Sequence, residues 1–248
     1  MEEQFIFGIH AVEEALTAGV LIDKIVARKG LNGEQFARIQ QLSREKHVRM
    51  QYTSPDVLDR ITQGNHQGVI AFINQIKYVE LDALLKQLEQ EQHVPLIVVL
   101  DGITDVRNFG AIVRSANCAA VDAIVVQRKG SAPINGESVK TSAGALLHTP
   151  ICLTDKNFFA VKTLKQHGMT IVGATEKGAV DYFNVDMHGP TVIIMGAEDK
   201  GISNQLLKLC DARARIPMSG QIESLNVSVA AGIMLFEAVR QRQAIPQQ

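Results

Sequence analysis

The feature that most constrains the fold is a series of short apolar segments that alternate with amphipathic ones from residue 95 onward. Residues 96–100 (LIVVL) form a continuous apolar run, as in strands buried on both faces of a parallel sheet. The same pattern predicts further strands at 123–126, 151–153, 170–174, 191–195 and 214–216. Helices are predicted between them at 108–119, 138–147, 158–166 and 203–209. This alternation predicts a mostly parallel α/β sheet with helices on both faces.

The last predicted helix opens directly from a polar loop at residues 216–226. From Leu225 to Val239 its only charged residue is Glu237, so we expect it to be buried on several sides. Ser224 is the predicted cap. Asn226 would then lie near the positive end of the helix, where a ligand can hydrogen-bond to it and to free backbone N–H groups. The alternative is a capped core helix with one stray polar residue.

The residues before this series predict a small, separate α/β unit at 1–73. Its predicted helices are 8–18, 34–46 and a short one from Pro55, and its predicted strands are 21–27, 48–52 and 69–73. Residues 74–93 carry four leucines on one helix face among polar residues, and we interpret them as a linker that contains a helix. The second domain is predicted at 94–248.

Composition narrows the class of protein. The chain has 248 residues and no apolar run long enough to span a bilayer, and its first residues are acidic and polar. These observations predict a cytoplasmic protein without a membrane segment. The seven histidines show no HExxH pattern and the three cysteines no CxxC spacing, so we expect no metal site, and we expect buried thiols.

The charge balance does not by itself point to nucleic acid. There are 25 Lys and Arg residues against 26 Asp and Glu residues, a net charge of −1. Residues 24–49, however, contain seven basic residues and only two acidic ones. This cluster is either an RNA-binding patch or an ordinary solvated surface.

Three loops that follow predicted strands are rich in glycine and polar groups. The first, at 101–110, is followed by Arg114. A lone arginine on a helix is usually solvent-facing, but its apolar neighbours here make a partly buried guanidinium with an anionic partner more plausible. The second, at 196–201 (GAEDKG), has the glycine spacing of a phosphate loop. It is not a phosphate loop, because Ile202 precedes Ser203 where Lys is required, and because Glu198 and Asp199 would repel a phosphate.

The same test excludes a phosphate loop at 173–178, and no GxGxxG or GxSxG pattern occurs in the chain. A nicotinamide dehydrogenase and an α/β-hydrolase therefore lack their sequence signatures. A carboxylate flanked by glycines after a buried strand suits a neutral or cationic ligand. The third loop, at 216–226, contains Ser224 and Asn226.

Together these loops resemble the three signature motifs of the SpoU (TrmH-like) family of RNA 2′-O-ribose methyltransferases, within the SPOUT superfamily. The stretches that match are 108–114 (NFGAIVR), 195–201 (MGAEDKG) and 216–228 (IPMSGQIESLNVS). At residues 106–107 this chain has Val-Arg where the family often has Pro-His. The resemblance covers residues 94–242.

The resemblance implies an enzyme that transfers a methyl group from S-adenosylmethionine to RNA. It also implies a carboxy-terminal trefoil knot and a homodimer through the second domain. By resemblance, Arg114 activates the ribose hydroxyl while Asn108, Glu198, Ser224 and Asn226 arrange the site. The implied cofactor-binding residues are Met195, Gly196, Ala197, Glu198, Gly201, Ile216, Met218 and Leu225.

The first unit, residues 1–73, also resembles the ribosomal-protein-like substrate-binding domain of the branch that methylates a guanosine of 23S ribosomal RNA. The stretches that carry this resemblance are 7–12 (FGIHAV) and 66–69 (HQGV). The expected function is therefore 2′-O-methylation of a guanosine ribose in 23S ribosomal RNA. The alternatives are a transfer RNA ribose methyltransferase and an RNA-binding module without activity.

Overall fold

The computed structural model describes residues 5–73, 76–221 and 224–243. The chain divides into two compact units, one made mainly of the residues up to 75 and the other mainly of those from 76 on. Each unit has its own sheet and its own apolar core.

The first unit contains a four-stranded sheet in the order β1-β4-β2-β3. Its strands are β1 (Phe5–Phe7), β2 (Ile22–Arg28), β3 (Arg49–Thr53) and β4 (Val69–Ile73), and its helices are α1 (Ile9–Ala18), α2 (Glu34–Glu45) and α3 (Pro55–Ile61). Strands β2 and β3 are parallel, and the other pairs are antiparallel. The short strand β1 was not predicted, because three residues are too few for a periodicity to show.

The helices of the first unit cover the two sheet faces unequally. Helices α1 and α2 bury Leu16, Phe36 and Ile39 against one face. On the opposite face Leu58 of α3 packs with Val26, Ile70 and Phe72. The basic residues between 24 and 49 are exposed except Lys24, which is half-buried with its Nζ 4.3 Å from the centre of the Phe72 ring.

The second unit contains a seven-stranded sheet in the order β7-β6-β5-β10-β8-β11-β9. Its strands are β5 (Leu96–Asp101), β6 (Ala123–Gln127), β7 (Ile151–Thr154), β8 (Thr170–Ala174), β9 (Val180–Asp181), β10 (Thr191–Gly196) and β11 (Ala212–Arg215). Every pair of neighbouring strands is parallel. The predicted α/β fold with a parallel sheet is confirmed, and the knot stays a prediction. Strand β9, with two residues, was not predicted.

Six α-helices surround this sheet within the described ranges. They are α4 (Leu81–Gln90), α5 (Val106–Cys118), α6 (Gly136–Thr141), α7 (Asn157–Gln166), α8 (Asn204–Leu207) and α9 (Val227–Gln243). The helix predicted at 138–147 is instead α6 followed by a separate 3-10 turn at Ala145–Leu147. Ala143 and Gly144 lie between them with φ of 51° and 85°, and this left-handed backbone ends the helix.

Helix α4 lies inside the predicted linker and packs on the second unit. Its Leu84, Leu85 and Leu88 are buried in the same core as Ile97 and Val192. A hydrophobic face of this kind needs a partner to be stable, and the parallel sheet provides it. The helix is therefore a structural part of the second unit.

The carboxyl end of α9 is tied to the amino ends of two central strands. The Arg242 guanidinium donates hydrogen bonds to the carbonyl oxygens of Val94, Pro95, Met187 and Gly189 at 2.9–3.1 Å. Burial lowers the pKa of Arg242. No described helix is both long and apolar enough to cross a membrane.

The cysteines differ from the expectation of buried thiols. Cys152 is buried, Cys210 is half-buried and Cys118 is exposed. Burial raises the pKa of the Cys152 thiol to about 12. Cys118 is the last residue of α5 and falls outside the apolar face that this helix buries, so helical periodicity allows its exposure.

Candidate active site

The loop after β10 is shaped by Gly196 and by hydrogen bonds at both of its ends. A Cβ atom at Gly196 would lie 2.2 Å from the carbonyl carbon of Gly201, so no larger residue fits. The chain folds back there, and the Gly201 N–H donates to the Ala197 carbonyl at 2.7 Å. Farther along, the Ser203 N–H donates to the Asp101 carboxylate at 2.8 Å. This loop is therefore held against the end of β5.

The first loop ends in a capped helix. The Asp105 carboxylate accepts hydrogen bonds from the N–H groups of Arg107 and Asn108, both at 2.8 Å. Helix α5 therefore begins at Val106, two residues before the predicted start. Asn108 lies in its first turn.

The third loop is capped by a different residue from the one predicted. Helix α9 begins at Val227, and the Asn226 side-chain oxygen accepts a hydrogen bond from the Ser228 N–H at 2.9 Å. The Asn226 carbonyl accepts from the Ala230 N–H, which completes the geometry of an N-cap. The expectation that Ser224 caps this helix was wrong by two residues. Serine and asparagine both cap helices, and the sequence does not show which of them directly precedes the first helical residue.

The Asn226 amide joins the three predicted loops. Its Nδ2 donates to the Asn108 side-chain oxygen at 2.9 Å and to the Glu198 carboxylate at 2.8 Å. Because its own oxygen is used by the helix cap, the orientation of the amide follows from its partners. One side chain from each loop therefore meets at a single point on the carboxyl edge of the sheet.

A cavity of about 300 Å³ lies beside this point. All eight residues implied as cofactor-binding by the sequence resemblance line it, together with Ser224 and Asn226. The other lining residues are Ala174, Thr175, Glu176, Ala214, Val227 and Ala230.

Comparison with known proteins identifies the family. Residues 95–236 match the SpoU rRNA Methylase family, and residues 5–79 match the domain described as RNA 2′-O ribose methyltransferase substrate binding. The chain belongs to the SpoU rRNA methylase family. This confirms the predicted RNA methyltransferase and its cofactor, S-adenosylmethionine.

Individual SpoU relatives match over almost the whole chain. A Staphylococcus haemolyticus protein named as a TrmH family tRNA/rRNA methyltransferase is 33% identical over 99% of this chain and 98% of its own. The SpoU methyltransferase AviRb of Streptomyces viridochromogenes, solved with AdoMet, is 26% identical with a TM-score of 0.65, over 98% of this chain and 92% of AviRb. An AdoMet-bound rRNA methyltransferase of Sinorhizobium meliloti is 28% identical with a TM-score of 0.61, over 95% and 86% of the two chains.

Arg114, which follows the first loop, is not among the residues that line the cavity. Its side chain is exposed and forms no hydrogen bond or ion pair with any residue in the described ranges. The expectation of a partly buried guanidinium was wrong. Helix α5 buries the face that carries Phe109, Ile112 and Val113, and position 114 points away from it.

Sequence reasoning missed one wall of the cavity. Residues 174–176 lie at the carboxyl end of β8, the strand next to β10, and no function was assigned to them from the sequence once the phosphate-loop pattern was excluded. The position of this stretch at the end of a predicted parallel strand could have indicated a ligand-binding role, since ligands in such sheets bind beyond the carboxyl ends of the strands. A Cβ at Gly178 would lie 2.6 Å from the Arg213 carbonyl oxygen, so glycine there allows this loop to approach β11.

The cavity lining fits a cofactor that is partly apolar and positively charged. Ile216, Met218 and Leu225 supply apolar surface, and Glu176 and Glu198 supply carboxylates. No group of three or more His, Cys, Asp or Glu residues that could hold a metal occurs in the parts of the chain that the structure describes.

Proposed function

We propose that this protein catalyses the S-adenosylmethionine-dependent 2′-O-methylation of a ribose, that of a guanosine in 23S ribosomal RNA. The observation that carries the proposal is the Asn226 amide, which bonds Asn108 and Glu198 and so joins the three signature loops beside the cavity. The match of residues 5–79 to a ribose methyltransferase substrate-binding domain supports the choice of the 2′-oxygen and of RNA.

The proposed cofactor site is the cavity itself. Met195, Gly196, Ala197, Glu198, Gly201, Ile216, Met218 and Leu225 would hold the cofactor. When bound, S-adenosylmethionine supplies an electrophilic methyl group on a positively charged sulfur. The apolar side chains would exclude water from the apolar part of the cofactor, and Glu198 would offer negative charge to its cationic part.

The residues around Asn226 would position the acceptor hydroxyl. Asn226 holds Asn108 and Glu198 in fixed relative places, and Ser224 lies exposed at the mouth of the cavity. Positioning of this kind supplies much of the acceleration when the reaction needs in-line geometry. Asn108, Glu198, Ser224 and Asn226 are therefore assigned to arranging the site.

Arg114 is assigned to the RNA hydroxyl. Its exposure and its lack of a partner among the described residues leave the guanidinium accessible to RNA. Two roles fit this placement. Arg114 accepts the hydroxyl proton after transient deprotonation against a substrate phosphate, or it remains cationic and stabilises the developing alkoxide. The second role agrees with the ordinary chemistry of guanidinium groups, which keep their protons up to a pH of about 12.

The second candidate substrate is transfer RNA, because the Staphylococcus haemolyticus relative is named for both tRNA and rRNA. One experiment tests both. Ribose methylation is mapped in ribosomal and transfer RNA from cells that lack this protein. Loss of one 2′-O-methylguanosine in 23S ribosomal RNA is the expected result, and loss only in transfer RNA would replace the proposal by the second candidate. A ribosomal RNA substrate also implies a cytoplasmic location.

A protein that keeps the fold without activity is tested by cofactor binding. With S-adenosylmethionine at about 100 times its dissociation constant, the free energy of unfolding should rise by about 2.7 kcal/mol. Absence of any shift in the melting temperature would favour an inactive RNA-binding module.

The enzyme is proposed to be a homodimer through the second unit. Helix α9 packs on α5, yet Val229 and Phe236 remain 50% and 49% exposed on it, and Leu225 is exposed before its first turn. These apolar side chains favour an isologous contact between two copies across a two-fold axis.

A further inference from the structure

The carboxyl edge of the second unit's sheet extends beyond the active site on the side away from the cavity. The cavity is lined by residues after β8, β10 and β11, whereas β6 and β7 lie on the other side of β5. Asn108 follows β5 and separates the two regions. An RNA chain that places a ribose near Asn108 therefore has the loops after β6 and β7 as its next surface.

The loop after β6 is attached to the first signature loop. The Ala132 N–H donates to the Ile103 carbonyl at 2.8 Å. Nearby, the Thr141 hydroxyl of α6 donates to the Val106 carbonyl at 3.1 Å. These two bonds hold the backbone of the segment after β6 beside the first loop.

Three basic side chains are exposed on these loops: Arg128, Lys129 and Lys156. The Arg128 Nε is 3.6 Å from the Asp155 carboxylate, whose side chain is 91% exposed, so solvent weakens this ion pair. The side chains of Lys129 and Lys156 form no hydrogen bond or ion pair with any described residue. The Arg128 N–H donates to the Thr154 carbonyl at 2.8 Å, which keeps the ends of β6 and β7 side by side.

Two exposed aromatic rings accompany these cations. Tyr78 is 51% exposed on the outer side of β7, where its backbone forms a bridge with Ile151, the first residue of that strand. Burial raises the pKa of the Tyr78 phenol, and Arg128 is close enough to lower it in part. Phe159 is 60% exposed, one helical turn after Lys156, to whose carbonyl its N–H donates at 3.1 Å. Aromatic rings interleaved with cations are typical of surfaces that bind single-stranded nucleic acid.

We propose that Arg128, Lys129 and Lys156, with Tyr78 and Phe159, form a second RNA-binding surface, the β6–β7 rim, which holds the unpaired RNA beside the methylated nucleotide. The cations contact phosphates and the rings stack on bases. The inference rests on the proposed function, because an RNA substrate brings the strand to this edge. Asp155 opposes phosphate binding and leaves the rim with a net charge of +2.

Charge-neutralising variants of the full chain test the rim. Arg128→Gln/Lys129→Gln is compared with Lys86→Gln/Lys208→Gln, which removes the same charge from exposed positions on α4 and after α8. Binding of a fluorescent single-stranded RNA of about 15 nucleotides is measured by anisotropy over a range of salt concentrations. The rim variant should lower the slope of log Kd against log salt by about 1.4, two phosphate contacts at roughly 0.7 each. Asp155→Asn should tighten binding.

The proposal is overturned if the salt slope and the RNA affinity of the Arg128/Lys129 variant equal those of the Lys86/Lys208 control. Unchanged affinity for S-adenosylmethionine and an unchanged melting temperature show that the rim variant is folded. The aromatic part is tested by Tyr78→Ala/Phe159→Ala, which should weaken RNA binding about tenfold with the salt slope of the wild type. Wild-type affinity in this variant would remove the rings from the rim.

Methyl transfer separates this inference from the proposed function. The substrate is ribosomal RNA from cells that lack the protein. If the wild type methylates it, the rim variant should show a raised KM for RNA with kcat unchanged, and an unchanged KM counts against the rim. If the wild type transfers no methyl group, the proposed function fails, and the salt slope with the RNA oligonucleotide still decides whether the rim binds RNA.

Discussion

Asn226 has two tasks that one substitution can separate. Its oxygen caps α9, while its nitrogen bonds Asn108 and Glu198. Aspartate caps helices as well as asparagine does but has no N–H to donate, and its charge would face the Glu198 carboxylate. We expect Asn226→Asp to keep the helix cap and to lose roughly tenfold or more in kcat/KM, as for a hydrogen bond to a charged group.

The measurements for Asn226 are methyl-transfer kinetics and thermal unfolding. Asn226→Ala is the comparison, since it loses the cap as well and should cost about 1 kcal/mol of stability. Wild-type kinetics in Asn226→Asp would show that the bonds to Asn108 and Glu198 are not needed for catalysis.

Arg114 should act on the acceptor and not on the cofactor. It is exposed and does not line the cavity. We expect Arg114→Ala to abolish methyl transfer while the Kd for S-adenosylmethionine, measured by calorimetry, stays unchanged. Arg114→Lys should also fail, because a flexible ammonium does not reproduce the planar guanidinium. Comparable turnover in either variant would end the assignment of this role.

At the scale of elements, the loop after β10 depends on a close backbone approach. A Cβ at Gly196 would lie 2.2 Å from both the Gly201 carbonyl carbon and the Ile202 nitrogen, so one of these segments must move. We expect Gly196→Ala to weaken S-adenosylmethionine binding at least tenfold, because the loop lines the cavity. Gly189→Ala is the matched control, since a Cβ at Gly189 meets no atom within 4 Å. Equal affinity in the two variants would contradict this account.

Helix α4 determines where a fragment that contains the second unit must begin. Leu84, Leu85 and Leu88 pack in its core, so a fragment of residues 94–248 lacks part of that core. We expect a fragment of residues 76–248 to bind S-adenosylmethionine with the affinity of the full chain and to lose affinity for ribosomal RNA. The measurements are calorimetry with the cofactor and a salt-controlled RNA binding assay. Undiminished RNA affinity would show that the first unit does not bind the substrate.

At the scale of the whole molecule, the exposed apolar residues of α9 predict the assembly. Val229 and Phe236 lie on the same face of that helix, and in a single chain both side chains are exposed. If this face is a dimer interface, Val229→Lys/Phe236→Glu should convert a dimer to a monomer in sedimentation at micromolar concentration. Val180→Lys/Phe183→Glu is the control, since those apolar residues are also exposed but lie outside α9. A wild-type monomer with full methyl-transfer activity would rule out a required dimer.

The sequence by itself determined the architecture and the three loops. Continuous apolar runs such as residues 96–100 can be satisfied only between two covering layers, and the carboxyl ends of parallel strands share one edge. Polar, glycine-rich segments directly after those strands were therefore expected to meet. Residues 108–114, 195–201 and 216–228 also carried the family resemblance, because motif residues adjoin the strands in sequence.

Only the tertiary structure decided which polar side chains contact one another and which residues line the cavity. The order β5-β10-β8-β11 brings residues 174–176 to the cavity, and no local pattern encodes strand order. Asn226 rather than Ser224 caps α9 because the helix begins at Val227, and the nitrogen of the same amide reaches Asn108 and Glu198. Arg114 is exposed because the packing of α5 selects one face for burial. Periodicity fixes the spacing of residues along a helix, but contacts between distant segments decide which face is covered.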